Sequence, residues 1–298
     1  MEKRKVAVFL LFGQSNAVGH NVPMDEDDKI IKPLKNVFGL HRNENQSFDN
    51  SELFWSGYTS GGMNLAEEQD DTYSVANCLA KDWQNEIDNG RNLPDLYIVQ
   101  IAIGAQGISE GQMWNPEYEK MLIPGKLGTV KISLYPYTLH ILSIMQKSFD
   151  DLGVAPDYVG LHWRGGEQDW RCEKEYLETR LKGLYEEIFE GFYSAIGNKI
   201  PARLHRFIAK DYCIEHDSTG KMLENMHYIN SVFEDLCEEH SNISVFDVSK
   251  APFYVENIRG NGMFIDDVAH FTPDTNKWVA EEILKEYTTR TEKMGDFI

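Results

Sequence analysis

The sequence predicts an α/β fold: a three-layer α/β/α sandwich around a central, mainly parallel sheet of five strands. Two observations carry this. Short, continuous apolar runs end at glycines or polar turns, as strands covered on both faces do. Between them lie charged segments whose apolar residues recur at helical spacing, and strands alternating with helices build parallel sheets.

The strands come first in order. Val6–Phe12 ends at Gly13, Leu96–Ile103 ends at Gly104, and Tyr158–Trp163 ends near Gly165 and Gly166. Leu204–Ala209 and Ile243–Val248 are weaker members of the series. Helices are expected at Tyr73–Ile87 and Pro136–Leu152. Two more follow from the spacing of Leu177, Leu181, Leu184 and Ile188, and of Met222, Met226, Ile229, Phe233 and Leu236. Thr272-Pro273 is a good N-cap and first-turn pair, which predicts a last helix running to about Tyr287. Residues 41–71 and 109–129 have no period and read as long loops. No linker or repeat divides the chain, so residues 1–298 read as a single domain despite a length that two domains could share.

Composition narrows the function classes. Hydrophobic residues at 42% and charged residues at 26% are those of a globular protein. Against 29 basic residues stand 48 acidic ones, a net charge of −19. Such a chain repels a phosphate backbone and an anionic membrane surface, so neither nucleic acid nor membrane is an expected partner. Cys78, Cys172, Cys213 and Cys237 are far apart and form no metal-ligand spacing. Met1-Glu-Lys-Arg-Lys before Val6–Phe12 mimics a secretory leader, but the apolar run is short and no small-residue cleavage site follows. The expected compartment is the cytoplasm.

In open parallel sheets, ligands bind at the carboxyl ends of the strands. The first strand delivers Gly13-Gln14-Ser15-Asn16 there, the next Gly104-Ala105-Gln106-Gly107, and the third Trp163-Arg164-Gly165-Gly166-Glu167-Gln168-Asp169. Asp267-Val268-Ala269-His270 precedes the last helix. A serine hydroxyl becomes a nucleophile when an imidazole takes its proton, and a carboxylate on the other ring nitrogen fixes the tautomer. Asp267 can reach the His270 ring across one tight turn, whereas only the fold can bring Ser15 to them. Backbone N–H groups at Ser15 and Gly104 are candidate oxyanion donors. Each residue alone has a plainer reading: Ser15-Asn16 as a helix cap, Gly104 as a turn, Asp266-Asp267 as a solvated acidic turn. Arg164, Glu167 and Asp169 fit an ion-pair network behind the site as well as they fit substrate contact. The sequence has no phosphate loop, no GxGxxG, no HExxH and no GxSxG elbow, and the reading calls for no cofactor or metal.

These four blocks, in this order, resemble the SGNH-hydrolase superfamily over roughly residues 5 to 287. The resemblance is to its sialate O-acetylesterase-like and acetylxylan-esterase-like branch. That branch carries GQSN after the first strand, a glycine block, WxQGExD and a terminal DxxH. The resemblance implies a flavodoxin-like sheet and a serine esterase that removes O-acetyl groups from a small-molecule or oligosaccharide ester. Ser15 would be the nucleophile, His270 the base and Asp267 its carboxylate. Gln14, Asn16, Gly104, Gln106, Arg164, Gly165 and Glu167 would form the oxyanion and substrate region. One position departs: Gly165 stands where the family has Gln. Gln14, Gln106 and Gln168 are the carboxamides that could replace it. A catalytically weak carbohydrate-binding protein is the alternative this departure raises, and a lipid or thioester hydrolase with the same triad is a third. Trp55, Tyr58 and Trp114 are candidate sugar-stacking faces.

Overall fold

The computed structural model describes residues 3–42, 53–61, 63–66, 72–118, 121–122, 130–131 and 133–294. The expected loops at 41–71 and 109–129 fall partly outside these residues. Strands β1 (Arg4–Gly13), β2 (Val37–Arg42), β3 (Leu53–Gly57) and β4 (Leu96–Ala102) come first. A short antiparallel ribbon follows, β5 (Met121–Leu122) with β6 (Val130–Lys131). Then come β7 (Val154–Arg164), β8 (Ala202–His205) and β9 (Ile243–Phe246).

The main sheet has seven strands in the order β3-β2-β4-β1-β7-β8-β9. Its neighbours are parallel except β2 and β3, which pair antiparallel. This corrects the five-stranded, mainly parallel expectation: the sheet is mixed and two strands wider. The apolar run in β2 is interrupted by Gly39 and His41, and β3 lies in an Asn- and Ser-rich stretch, so neither has the signature of a buried strand. Tertiary packing holds them instead. Trp55 of β3 meets Tyr97 edge-on at 4.8 Å and stacks on Phe149 at 5.6 Å, and its indole N–H donates to Ser148 Oγ. A side chain at Gly39 would collide with Met63.

The helices are α1 (Ser15–Val18), α2 (Val75–Asp88), α3 (Leu134–Leu152), α4 (Lys174–Ile196), α5 (Lys210–His216), α6 (Lys221–Glu239) and α7 (Pro273–Met294). Alternation along β1 shows how they form two layers. Val6, Val8, Leu10 and Phe12 enter one core with the apolar stripes of α3, α4 and α6. Ala7, Phe9 and Leu11 enter a second core with those of α2 and α7. Successive side chains on a strand point to opposite faces, so a strand apolar at every position needs two covers. The run that mimics a leader is thus the sheet's central strand. Ser74 Oγ caps α2 by accepting the Asn77 N–H at 3.3 Å, and Thr272 Oγ1 caps α7 by accepting that of Thr275 at 3.2 Å. The last helix continues past Tyr287 to Met294. Among the described residues, no helix is long and apolar enough to cross a membrane.

Three strands end level at the sheet's centre. Gly13 of β1 lies opposite Ala102 of β4 on one side and Arg164 of β7 on the other. The chain leaves β1 for one half of the sheet and later returns to build the other half beside it. That makes the carboxyl end of β1 the switch point, where a crevice opens.

Candidate active site

Gly13 turns the chain from β1 into α1 with a φ of 144°, and a side chain there would run into the Arg164 carbonyl. The next residue is fastened to the same carbonyl, since Gln14 N–H donates to Arg164 O at 2.9 Å. Ser15 therefore emerges at the start of α1, at the mouth of the crevice, partly exposed. The far end of the chain supplies the other wall. Asp267 Oδ2 meets His270 Nδ1 at 2.5 Å. Asp267 Oδ1 accepts the backbone N–H groups of Ala269 and His270 at 3.0 and 2.9 Å. Burial pushes the Asp267 carboxyl up, but these hydrogen bonds from the His270 ring and the two backbone groups outweigh it and hold it below the usual carboxylate range.

Ser15, His270 and Asp267 line one cleft of about 420 Å³. Gln14, Gly104, Ala105, Glu167 and Gln168 share its wall, together with His20, Trp170, Arg171 and Tyr212. The His20 imidazole explains Gly104, because a Cβ at that position would overlap the ring. His20 also stands 6.2 Å from the His270 ring, centroid to centroid.

Several expected site residues spend their polar groups on holding the surrounding structure. Asn16 borders the cleft but is only 4% exposed, and its carboxamide holds the backbone of Ala269 and Phe271. Gln106 Oε1 accepts the Met113 N–H at 3.1 Å, which braces its own loop, and Ala105 lines the cleft in its place. Arg164 is 2% exposed, with its guanidinium 4.0 Å above the Phe271 ring. Burial pulls its pKa down to about 10, against the opposing pull of Glu167. Burial raises the Glu167 carboxyl, which Arg164 and Asn16 partly offset. Asp169 is fully buried and accepts Ile108 N–H, Ser109 N–H and Ser109 Oγ–H at 3.0, 2.9 and 2.6 Å. It ties the β4 loop to the β7 loop.

Gly165 is also accounted for by packing. A Cβ there would come within 3.1 Å of the Trp163 indole and 3.3 Å of Gly13 Cα. The Trp163 N–H donates to Gly165 O at 2.9 Å, so the indole is fixed where it crowds that position. Of the three candidate replacement carboxamides, Gln14 and Gln168 reach the cleft wall. The aromatic guesses do not reach it. Trp55 and Tyr58 pack elsewhere in the molecule, and Trp114 is fully buried with its N–H on Gly13 O at 3.0 Å. Trp170 and Tyr212 are the aromatic faces at the cleft, stacked on each other at 5.6 Å.

Among solved structures, the chain is similar to NanS, with 14% identity, 97% of this chain and 99% of that one covered, and a TM-score of 0.61. It shares the NanS fold. A protein from Arabidopsis thaliana aligns over the same 97% and 99% at 13% identity, with a TM-score of 0.56. No family model and no curated protein matches the sequence. Likenesses at this identity speak for the fold and the course of the chain, and leave the chemistry to the residues.

Proposed function

We propose that the protein is a serine esterase that removes O-acetyl groups from a carbohydrate. The observation that carries the reading is the cleft itself: a hydrogen-bonded Asp267–His270 pair and Ser15, from opposite ends of the chain, line one cavity. With Nδ1 held by Asp267, Nε2 of His270 is the nitrogen left to act as base. Ser15 Oγ attacks the acetyl carbonyl and His270 takes its proton. The N–H groups of Ser15 and Gly104 receive the tetrahedral oxyanion. His270 then protonates the departing sugar oxygen, and water, deprotonated by His270, releases acetate from Ser15. The motif resemblance supports the acetylated-sugar substrate, and Trp170 with Tyr212 offers a face for a pyranose ring.

Hydrolysis of p-nitrophenyl acetate by wild type and Ser15→Ala tests the reaction. Loss of at least about 10³-fold is expected, the scale on which triad members act. Equal rates would overturn the reading in favour of a carbohydrate-binding protein with the same fold. A fluorophosphonate should add its mass to Ser15 and to no other residue. Rates that rise with acyl length would move the assignment to lipid or thioester substrates. The substrate panel should pair neutral acetylated sugars with carboxylated ones, because Arg171 puts an exposed guanidinium on the cleft wall.

A further inference from the structure

We infer that Asn16 is a positioning residue that sets where His270 stands relative to Ser15, an inference that rests on the reading of His270 as the base. Asn16 Nδ2 donates to Ala269 O at 2.9 Å, and Asn16 Oδ1 accepts the Phe271 N–H at 3.1 Å. One carboxamide thus grips the backbone immediately before and immediately after His270. The remaining Nδ2 proton points to Glu167 Oε1 at 3.3 Å. A carboxamide has one acceptor end and one donor end, and only this orientation satisfies all three partners.

The segment that Asn16 holds is already braced within itself. Asp267 accepts two backbone N–H groups, Ile265 N–H donates to His270 O at 2.8 Å, and Val268 N–H donates to Ile265 O at 2.9 Å. Val268 sits in the left-handed region at a φ of 52°, a conformation a β-branched residue adopts only when its surroundings impose it. These bonds fix the shape of the hairpin that presents His270, but none of them reaches the nucleophile. Asn16 does, because it is the residue after Ser15 and is 4% exposed. Asn21, another side chain spanning the two segments, reaches Asp267 Oδ2 and His270 Nδ1 at 3.5 and 3.4 Å, the limit of a hydrogen bond. Glu167, 8% exposed, stands behind Asn16 and fixes its rotamer.

Removing the clamp should let the hairpin drift as a unit. A displacement near 1 Å between nucleophile and base costs about 10² in rate. The test uses the full chain with Asn16→Ala and the isosteric Asn16→Asp, which turns an acceptor toward Ala269 O and Glu167. For both, kcat on p-nitrophenyl acetate should fall about 10²-fold with KM within about threefold of wild type. In parallel, proton NMR follows the downfield Nδ1–H of His270, which should broaden or move in both variants while far-ultraviolet circular dichroism stays native. If Asn16→Ala does not fold, Asn16→Asp carries the test. A wild-type Nδ1–H signal with kcat within threefold of wild type would overturn the clamp. If wild type proves inert toward esters while the variants still disturb the His270 resonance, the esterase reading falls and the clamp stands.

Discussion

Two polar segments at one edge of the sheet use their side chains in opposite ways. Around Ser15 and Asp267–His270, the side chains face the cleft: the Asp267 side chain is 36% exposed and that of His270 18%. In Trp163–Asp169, the charged groups are buried, with Arg164, Glu167 and Asp169 at 2%, 8% and 0%, and of the three Glu167 alone borders the cleft. Both segments hold a carboxylate that accepts backbone N–H groups, so hydrogen bonding alone does not separate them. The difference is what the remaining oxygen does. In Asp267 it orients a ring that reaches the cavity, whereas Asp169 is consumed in joining two loops. A polar residue at this edge of the sheet therefore has something to offer the cleft only where its hydrogen-bonding capacity is left over or passed on.

The largest expected effect tests the first segment. Asp267→Asn keeps an oxygen for the backbone of Ala269 and His270 but places an NH₂ against His270 Nδ1, which favours the tautomer that cannot act as base. Esterase kcat should fall about 10³–10⁴-fold with the melting temperature changed by only a few degrees. Its pH signature has a definite sign. The folded pKa of Asp267 lies below its unfolded value, so its stabilisation is present above the unfolded carboxylate pKa of about 3.9 and is lost as pH falls through the folded value. The small stability gap between wild type and variant should close under acid. Unchanged kcat would erase the distinction between the two segments.

Asp169→Ala probes the second segment and should show the reverse pattern. It leaves the N–H groups of Ile108 and Ser109 and the Ser109 hydroxyl without their buried acceptor. Unsatisfied buried donors cost about 1–3 kcal/mol each, with partial relief by water, so a loss of about 2–4 kcal/mol is reasonable. At about 2–4 °C per kcal/mol, calorimetry should show a melting point lower by roughly 4–16 °C. Activity per folded molecule should stay within about tenfold. A collapse of kcat at unchanged stability would place Asp169 in the chemistry instead.

How much of this was legible in the sequence follows the same division. The central strands β1, β4 and β7 could be read because burial on both faces writes itself as an apolar run. The edge pair could not, because Gly39 and His41 interrupt β2, and β3 is held by Trp55 against Tyr97 and Phe149 of distant segments. Ser15 was legible as a residue type at a strand end, and Asp267 with His270 as a pair just before the last helix. His20, Arg171 and Tyr212 carry no local signal, since they reach the cleft from the end of α1, a 3-10 turn and α5. Aromatic composition could not say which face a ring would occupy, and so Trp55, Tyr58 and Trp114 lie away from the cleft.

Gly165 offers the smallest effect and the finest cut. If a carboxamide is missing there, restoring it should raise activity. If packing dictates glycine, restoring it should do harm. The geometry favours harm. The Trp163 indole that a Cβ would crowd at 3.1 Å is itself fully buried, with Trp114 5.0 Å and Tyr185 6.0 Å from it, ring to ring, and it has nowhere to retreat. On the opposite side stands Gly13 Cα, in the turn that presents Ser15, so relief of the clash would push on the nucleophile. Overpacking of this kind costs about 1–3 kcal/mol. Gly165→Gln should therefore lower the melting point by a few degrees and reduce kcat modestly, while Gly165→Ala should show a weaker version of both. Esterase activity above wild type in Gly165→Gln would show that the position lacks a substrate-binding group, and that the second segment is closer to the chemistry than its burial implies.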